Sequence, residues 1–274
     1  MMVEALVYFF VPALVGVLIG IASGLLGIGG GTVMVPIFRL AFGMSATMST
    51  ATSLFAIIPT SISGAISHVK GKTCIPALGI AAGLGGACMS PIGVWLAQLS
   101  PDWLVMLAAA LIIGYSAINM FKKAFKVPRA GQPAEGADAA APTADDSSLS
   151  RKQLLQGAAI GLVAGLASGY VGVGGGFIMV PLMLSIIGIP MRKASGTSLI
   201  AVMILAIPGV IEQGIIGNIN YLAGIAIVIG TIPGAVIGAR LVTKVPERTL
   251  RLLFGCFLIV AAVMLVLNEV GIFG

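Results

Sequence analysis

The stretch Gly27-Ile28-Gly29-Gly30-Gly31 recurs 145 residues later as Gly172-Val173-Gly174-Gly175-Gly176. Each run follows a long apolar segment and precedes a short one, at 32–43 and at 177–189. The short segments fall below the roughly 18–20 residues that a helix needs to span hydrocarbon. The glycines are therefore predicted to end one helix and to open a half-helix whose first N–H groups point into protein.

The repeat keeps one register, without a gap, over most of each half of the chain. Matching pairs include Gly16 with Gly161, Pro36 with Pro181, Thr52-Ser53-Leu54 with Thr197-Ser198-Leu199, Gly93 with Gly238, and Pro101 with Pro246. We predict a first transmembrane repeat at 1–121 and a second at 154–274. Between them, 122–153 is predicted to be a flexible linker, because its centre has almost no large apolar residue to offset ordering entropy.

Composition indicates that lipid is the main solvent of this chain. Hydrophobic residues make up 58%, charged residues only 9%, and the mean hydropathy is +1.12. That leaves too little polar surface to cover a water-soluble globule. We predict an all-α polytopic membrane protein with five segments in each half. Those of the first half lie at about 5–26, 32–43, 50–68, 74–98 and 103–121, and the second set follows 145 residues later.

The distribution of positive charge predicts how the halves are oriented. All but one of the 15 Lys and Arg residues cluster at 70–72, 122–152, 192–193 and 240–251. The positive-inside rule places these regions, including the linker, in the cytoplasm. Their repeat counterparts contain no Lys or Arg, so equivalent loops lie on opposite sides and the two repeats are inverted. Both termini are then outside.

The same distribution argues against nucleic acid as a partner. The basic residues sit at the ends of apolar segments and not on a face with interleaved aromatic residues. The three cysteines form no disulfide or metal-ligand pattern and are predicted to be small buried packing residues. Lipid is the partner that the composition predicts, and the sequence does not set the oligomeric state.

Inverted repeats that each contain a short, glycine-interrupted segment are typical of secondary transporters with a site near the membrane midplane. A helix N-terminus attracts anions, and hydroxyl groups add neutral donors. We therefore predict a small anionic substrate, held between two glycine turns and two Thr-Ser turns. The predicted substrate-binding residues are Gly29, Gly30, Gly31, Thr52, Ser53, Gly174, Gly175, Gly176, Thr197, Ser198 and Arg39.

Each of these predictions has a structural alternative. The glycine runs are also typical of close helix packing, and the Thr-Ser pairs are also typical of helix caps. Arg39, the one basic residue inside a short segment, lies near a predicted outer end where its side chain can snorkel to water. His68 and Glu212 are expected to be solvated at a helix end and in a loop.

Motifs for enzyme chemistry are missing from the sequence. Neither glycine run continues into the Lys-Ser or Lys-Thr of a phosphate-binding loop, and neither completes a dinucleotide fingerprint. Ser67 and His68 are sequence neighbours, and no second histidine completes a catalytic set. The expectation is a protein without catalytic residues, organic cofactor or metal.

The paired Gly-x-Gly-Gly-Gly-x-x-x-x-Pro motifs at 27–36 and 172–181, with Ala-Thr-Ser-Leu at 51–54 and Gly-Thr-Ser-Leu at 196–199, resemble the TauE/SafE family of sulfite and organosulfonate exporters. The resemblance covers nearly the whole chain outside the linker. It implies a cofactor-free anion transporter that exports sulfite, sulfoacetate or related sulfur oxyanions across the bacterial inner membrane. The first half departs from the family pattern at 71–74 and 86–89, so the two half-sites are not expected to be identical.

Two other functions fit the same sequence. An anion channel would have the same neutral lining but would conduct faster than a carrier. A membrane-embedded enzyme or sulfur-handling accessory protein would show turnover chemistry in place of flux.

The inverted arrangement predicts the side on which the C-terminus lies. A reporter fused after Gly274 that is active only outside the cytoplasm should be active, and one fused in the linker should be silent. A cytoplasmic reporter should give the opposite pattern. A cytoplasmic C-terminus would contradict the inverted arrangement, because the second half would then have an even number of crossings.

Overall fold

The computed structural model describes the backbone of residues 2–125 and 150–269 and the side chains of 12–125 and 150–267. Its helices are α1 (Met2–Leu26), α2 (Gly31–Phe42), α3 (Ala46–Lys70), α4 (Pro76–Leu99), α5 (Asp102–Phe125), α6 (Arg151–Val171), α7 (Gly176–Leu182), α8 (Met191–Ile216), α9 (Tyr221–Leu241) and α10 (Glu247–Glu269). A π-helical turn, Met183–Ile187, extends α7. No strand occurs in the described parts of the chain, and seven helices are long and apolar enough to cross a membrane. The predicted all-α polytopic class is confirmed.

Helix α3 begins earlier than the sequence predicts. The polar stretch 47–53 lies inside α3 and does not form a turn before it. Two polar groups stabilise the earlier start: Ser45 Oγ accepts from Met48 N–H (3.2 Å), and Asp102 Oδ2 accepts from Ala46 N–H (3.2 Å). The predicted Thr-Ser turns are therefore wrong in both halves, since Thr197 and Ser198 likewise lie inside α8.

The ends of the predicted linker are helical, because α5 continues to Phe125 and α6 begins at Arg151. Its central part, 126–149, lies outside the described residues. One cysteine, Cys74, is buried as predicted, but Cys88 and Cys256 are exposed. The last two face outward from α4 and α10, where a lipid-facing thiol needs no packing partner.

Glycines bring helices of different halves into backbone contact along two seams. In the first seam α1 packs on α9, and a Cβ at Gly230 would lie 1.8 Å from Ala13 O. In the second seam α6 packs on α4, and a Cβ at Gly161 would lie 1.9 Å from Ala82 O. Both distances are far inside van der Waals contact, so any side chain would force the helices apart. Close approach through small residues is how helices gain packing energy in lipid.

Helices α3 and α8, which occupy equivalent places in the two repeats, cross at the centre of the molecule. A Cβ at Gly64 would meet Leu199 Cδ1 at 2.8 Å, and one at Gly209 would meet Leu54 Cδ1 at 3.5 Å. The two contacts are related by the 145-residue offset, and their order shows that α3 and α8 run antiparallel. The halves thus contact each other through equivalent residues.

The starts of α3 and α8 are capped in the same way, by a carboxylate at the start of the last helix of the same half. Asp102 accepts from Ala46 N–H, and Glu247 Oε1 accepts from Met191 N–H (3.2 Å). Such caps satisfy donors that a helix start leaves unpaired and favour a negative charge there. They tie α5 to α3 and α10 to α8.

Replacement of Gly161 by alanine should lower the free energy of unfolding by about 1–3 kcal/mol, because the methyl group overpacks the α4–α6 seam. Thermal unfolding of the purified protein in detergent measures the effect. Gly114→Ala is the matched control, since a Cβ there has no neighbour within 4 Å. The importance of the seam would be refuted by equal melting temperatures for the two variants.

Candidate functional site

Each glycine run forms a tight turn that only glycine adopts without strain. Positive φ angles occur at Gly29 (82°), Gly30 (85°), Gly174 (87°) and Gly175 (62°). Side chains at such angles are sterically disfavoured. The turns end α1 and α6 and start the short helices α2 and α7, as the sequence predicts.

The two turns lie against each other. A Cβ at Gly31 would be 2.5 Å from Val173 O, and one at Gly176 would be 2.4 Å from Gly27 O. Ile57 and Val202, which are equivalent residues at the α3–α8 crossing, pack on Gly29 and Gly174. The structure therefore brings together all six glycines predicted at the site, and their positions are buried.

The start of α2 presents unused backbone donors to this centre. Val33 and Met34 N–H groups both donate to Gly30 O (3.2 Å each). Gly31 and Thr32 N–H groups make no hydrogen bond to the described chain. With the helix dipole, these two N–H groups give the turn a local positive potential.

Three hydroxyl groups surround the same turn without any hydrogen-bond partner in the described chain: those of Ser23, Thr32 and Ser61. All three side chains are 0% exposed. A Cβ at Gly29 would lie 3.5 Å from Ser61 Oγ, and one at Gly30 would lie 3.6 Å from Ser23 Cβ. Buried hydroxyls are usually paired, so three unpaired donors beside a helix start are a candidate ligand site.

The second turn is less polar. The residues equivalent to Thr32 and Ser61 are Phe177 and Ala206, and only Ser168 repeats the unpaired hydroxyl of Ser23. The candidate site is thus centred on the first turn. Sequence reasoning missed Ser23, Thr32 and Ser61, although comparing the two repeats shows hydroxyls where the second half has Phe177 and Ala206.

The two predicted threonines, Thr52 and Thr197, form hydrogen bonds with backbone groups of other helices. Thr52 Oγ1 accepts from Asn220 N–H (3.0 Å), at the start of α9. Thr197 Oγ1 accepts from Ile75 N–H (2.9 Å), at the start of α4, and donates to Lys193 O (2.7 Å). Each threonine thereby caps a helix of the other half.

The predicted serines differ from each other. Ser198 Oγ hydrogen-bonds to Gly27 O (2.6 Å) and Ser195 O (2.8 Å), and so it holds the first turn against α8. The equivalent hydroxyl of Ser53 is buried and has no partner in the described chain. Of the four predicted hydroxyls, only that of Ser53 is uncommitted.

Arg39 does not reach the turns. It lies in the last turn of α2, about 12 Å along the helix from Gly31 at 1.5 Å per residue. Its Nη1 atom is 3.9 Å from Asp102 Oδ2, which also caps α3. The structure places Arg39 in a charged cluster at the end of α2.

The profile of the family described as "Sulfite exporter TauE/SafE" matches residues 12–265. The chain belongs to this family. Among the relatives of this TauE/SafE protein are two from Bacillus subtilis (strain 168) and one from Haemophilus influenzae. "Probable membrane transporter protein YunE" is 27% identical, with 97% of this chain and 99% of the relative covered.

"Probable membrane transporter protein YdhB" is 28% identical, with 87% of this chain and 92% of the relative covered. The Haemophilus relative, "Probable membrane transporter protein", is 29% identical with coverages of 93% and 97%. None of the solved structures matches the chain. These findings and the apolar helices show a multi-pass membrane transporter, and they confirm that the chain is not an enzyme.

Two polar residues of the TauE/SafE protein do not lie in the surroundings that the sequence predicts. His68 is 0% exposed: Nε2 lies 2.8 Å from Gly24 O and Nδ1 lies 2.7 Å from Thr73 Oγ1. The α1–α9 seam draws Gly24 next to α3 and so covers the imidazole. Glu212 lies inside α8, not in a loop, and its Oε2 is buried without a partner in the described chain.

The second half repeats the His68 arrangement with different side chains. Gln213 is 1% exposed and accepts from Asn218 Nδ2 (2.8 Å), and these residues are equivalent to His68 and Thr73. A buried amide pair thus takes the place of a buried imidazole and hydroxyl. The role of both pairs is to fasten the end of a long helix to the loop that follows it.

His68→Leu should lower the free energy of unfolding by about 1–3 kcal/mol, because Gly24 O loses its donor in a buried place. His68→Gln should retain most of the stability, since Gln213 fills the equivalent position in the second half. Melting temperatures in detergent distinguish the two. A glutamine variant that is as unstable as the leucine variant would show that imidazole itself is required.

Proposed function

We propose that this protein is a secondary transporter of small sulfur oxyanions such as sulfite, sulfoacetate or related organosulfonates. The observation that carries the proposal is the start of α2, where two free N–H groups lie among three buried, unpaired hydroxyls. Neutral donors of this kind bind an anion without a permanent countercharge. Weak binding permits release on the other side of the membrane.

The size of the site supports a compact ligand. The turns are close enough that a methyl group on Gly31 or Gly176 would meet the opposite backbone. A bulky anion would need a large separation of the halves, whereas a small tetrahedral or pyramidal oxyanion needs a modest one. We infer contacts from Gly29, Gly30 and Gly31, with Ser23, Thr32 and Ser61, while Gly174, Gly175 and Gly176 close the site from the other half.

The remaining predicted residues take supporting roles in this proposal. The hydroxyl of Ser53, which has no partner in the described chain, is available to a ligand. Thr52, Thr197 and Ser198 hold neighbouring helices and the first turn in place. Arg39 would meet the anion only at the outer end of its path. Its salt bridge to Asp102 would weaken as it did so.

Alternating access follows if the halves are inverted relative to the membrane. The antiparallel crossing of α3 and α8 through equivalent residues supports an axis of pseudo-two-fold symmetry in the membrane plane. Rocking about this crossing would expose the start of α2 to one side at a time. We propose the bacterial inner membrane, with the linker in the cytoplasm and both termini outside, and export as the direction.

A binding experiment tests the site. Thermal stabilisation of the detergent-purified protein by sulfite, thiosulfate, sulfoacetate and taurine should show a response to at least one. Ser61→Ala should lower the affinity for that anion about tenfold, because it removes one hydrogen bond to the anion. The anion concentration needed for half of the stabilisation should rise by the same factor. The matched control is Ser63→Ala, two residues along the same helix, because Ser63 Oγ already donates to Thr60 O (2.9 Å). If both variants changed the stabilisation by the anion equally, the proposed location of the binding site would be refuted.

A transport experiment tests the function. Proteoliposomes containing the protein should take up labelled sulfite with saturation at carrier rates, and Ser61→Ala should reduce the uptake. Single-channel conductance would assign a channel in place of a carrier. No flux and no stabilisation by any of the four anions, in a folded sample, would refute the substrate class.

A further inference from the structure

A long groove lies on the outer surface of the helix bundle, beside the second glycine turn, because Tyr170 and Ile178 line it. It has a volume of about 690 Å³ and is bounded by α4, α5, α6 and α7. Its walls are mainly apolar and include Ile112, Val163, Leu166 and Leu182. Because Val163 is 57% exposed and Tyr115 is 69% exposed, the groove opens sideways, toward the lipid that surrounds a membrane protein.

The groove has the length of a lipid chain. It follows α5 from Ala108 to Lys123, which is about 22 Å at 1.5 Å per residue. One leaflet of the hydrocarbon core is about 15 Å thick, half of a bilayer core. An acyl chain that enters beside Lys123 therefore fits within the groove.

One end of the groove carries an ammonium group that forms no ion pair within the part of the chain that the structure describes. Lys123 Nζ donates to Pro181 O (2.6 Å) and to Ser185 Oγ. An ammonium group has three N–H donors, so one remains for a ligand. No carboxylate of the described chain forms an ion pair with Lys123, since the neighbouring Glu247 is paired with Arg251.

The positive charge at this end is not limited to one residue. Arg251 Nη1 donates to Lys123 O (3.3 Å), and Lys122 is exposed next to it. This is the end of α5 that the charge distribution assigns to the cytoplasm. Basic pockets between helices on that side are typical sites for anionic headgroups.

The second half lacks the polar residues that line this groove. The residues equivalent to Lys123, Asn119 and Ser185 are Asn268, Met264 and Leu40. The cation Lys123 and the polar side chains of Asn119 and Ser185 are therefore not a consequence of the repeat. A feature present in only one half indicates a separate role.

We propose that this groove binds an anionic phospholipid, with one acyl chain along α5 and the phosphate on Lys123. The occupant is a lipid because the walls are apolar, open to the bilayer and of chain length. It is anionic because Lys123 has a free N–H donor at the mouth, and Arg251 and Lys122 add positive charge beside it. The site would tie α5 of the first half to α6 and α7 of the second, whereas the proposed transport site is centred on the first glycine turn.

The test uses the full-length protein in mild detergent and native mass spectrometry. Titration with phosphatidylglycerol and with phosphatidylcholine of the same chains should show at least a fivefold preference for the anionic lipid. Lys123→Gln should abolish the preference. Lys122→Gln removes an equal charge from the same end of α5 but does not line the groove, so it should retain the preference.

A second variant keeps the proposal testable if Lys123→Gln disturbs folding, since Lys123 also holds α7. Ala167→Phe fills the groove without changing charge and should weaken binding of both lipids at least fivefold. The proposal would be overturned if the wild-type protein bound phosphatidylglycerol and phosphatidylcholine equally. It would also be overturned if Lys122→Gln and Lys123→Gln lost the preference for the anionic lipid to the same extent. Undiminished binding by Ala167→Phe would overturn it as well, and so would displacement of the phospholipid by millimolar sulfoacetate, which would assign the groove to the transported anion.

Discussion

Backbone contact between glycines is the constraint on which the rest of this structure depends. In lipid there is no hydrophobic force between apolar helices, so association relies on close packing. Here α1 meets α9 and α6 meets α4 with carbonyl oxygens lying where a Cβ would be, as at Gly230 and Gly161. Each seam joins one half of the chain to the other, so neither half packs fully without its partner.

The seams also determine where the glycine turns lie. At the end of α1, Gly27 is pressed against Ser195 at the start of α8, and at the end of α6, Gly172 is pressed against Thr50 at the start of α3. The chain must then reverse within four residues to start α2 or α7, which requires positive φ angles. The same tight packing places the first N–H groups of α2 in a region that water cannot reach. Packing and anion attraction are therefore two consequences of one geometry, not rival explanations of the glycines.

Asymmetry between the halves is the more informative feature for function. The frame is symmetric: Thr52 and Thr197, and Asp102 and Glu247, make matching contacts. The hydroxyls of Thr32 and Ser61, which have no partner in the described chain, and the ammonium of Lys123 have no counterpart of the same kind in the second half. Selection for folding alone would favour equivalent residues in equivalent places. Polar groups at the first turn and at the α5 groove that the second half lacks fit the two ligand sites proposed above.

Sequence by itself determined the ten helical segments, the 145-residue register and the two broken helices. These follow from hydropathy and from glycine spacing, which are local properties of the chain. It also determined the membrane class and the family motifs. It misplaced the start of α3, because one of the two caps there comes from Asp102, more than fifty residues away.

Only the tertiary structure decided which buried polar side chains form hydrogen bonds within the described chain and which do not. Thr197 is committed to Ile75, and His68 to Gly24, by contacts between segments that are distant in sequence. Ser61 is free because no carbonyl of a neighbouring helix comes within reach of its hydroxyl. Hydrogen bonding of a buried side chain depends on what packs against it. The two glycine turns likewise lie against each other only because the seams bring the two halves of the chain together.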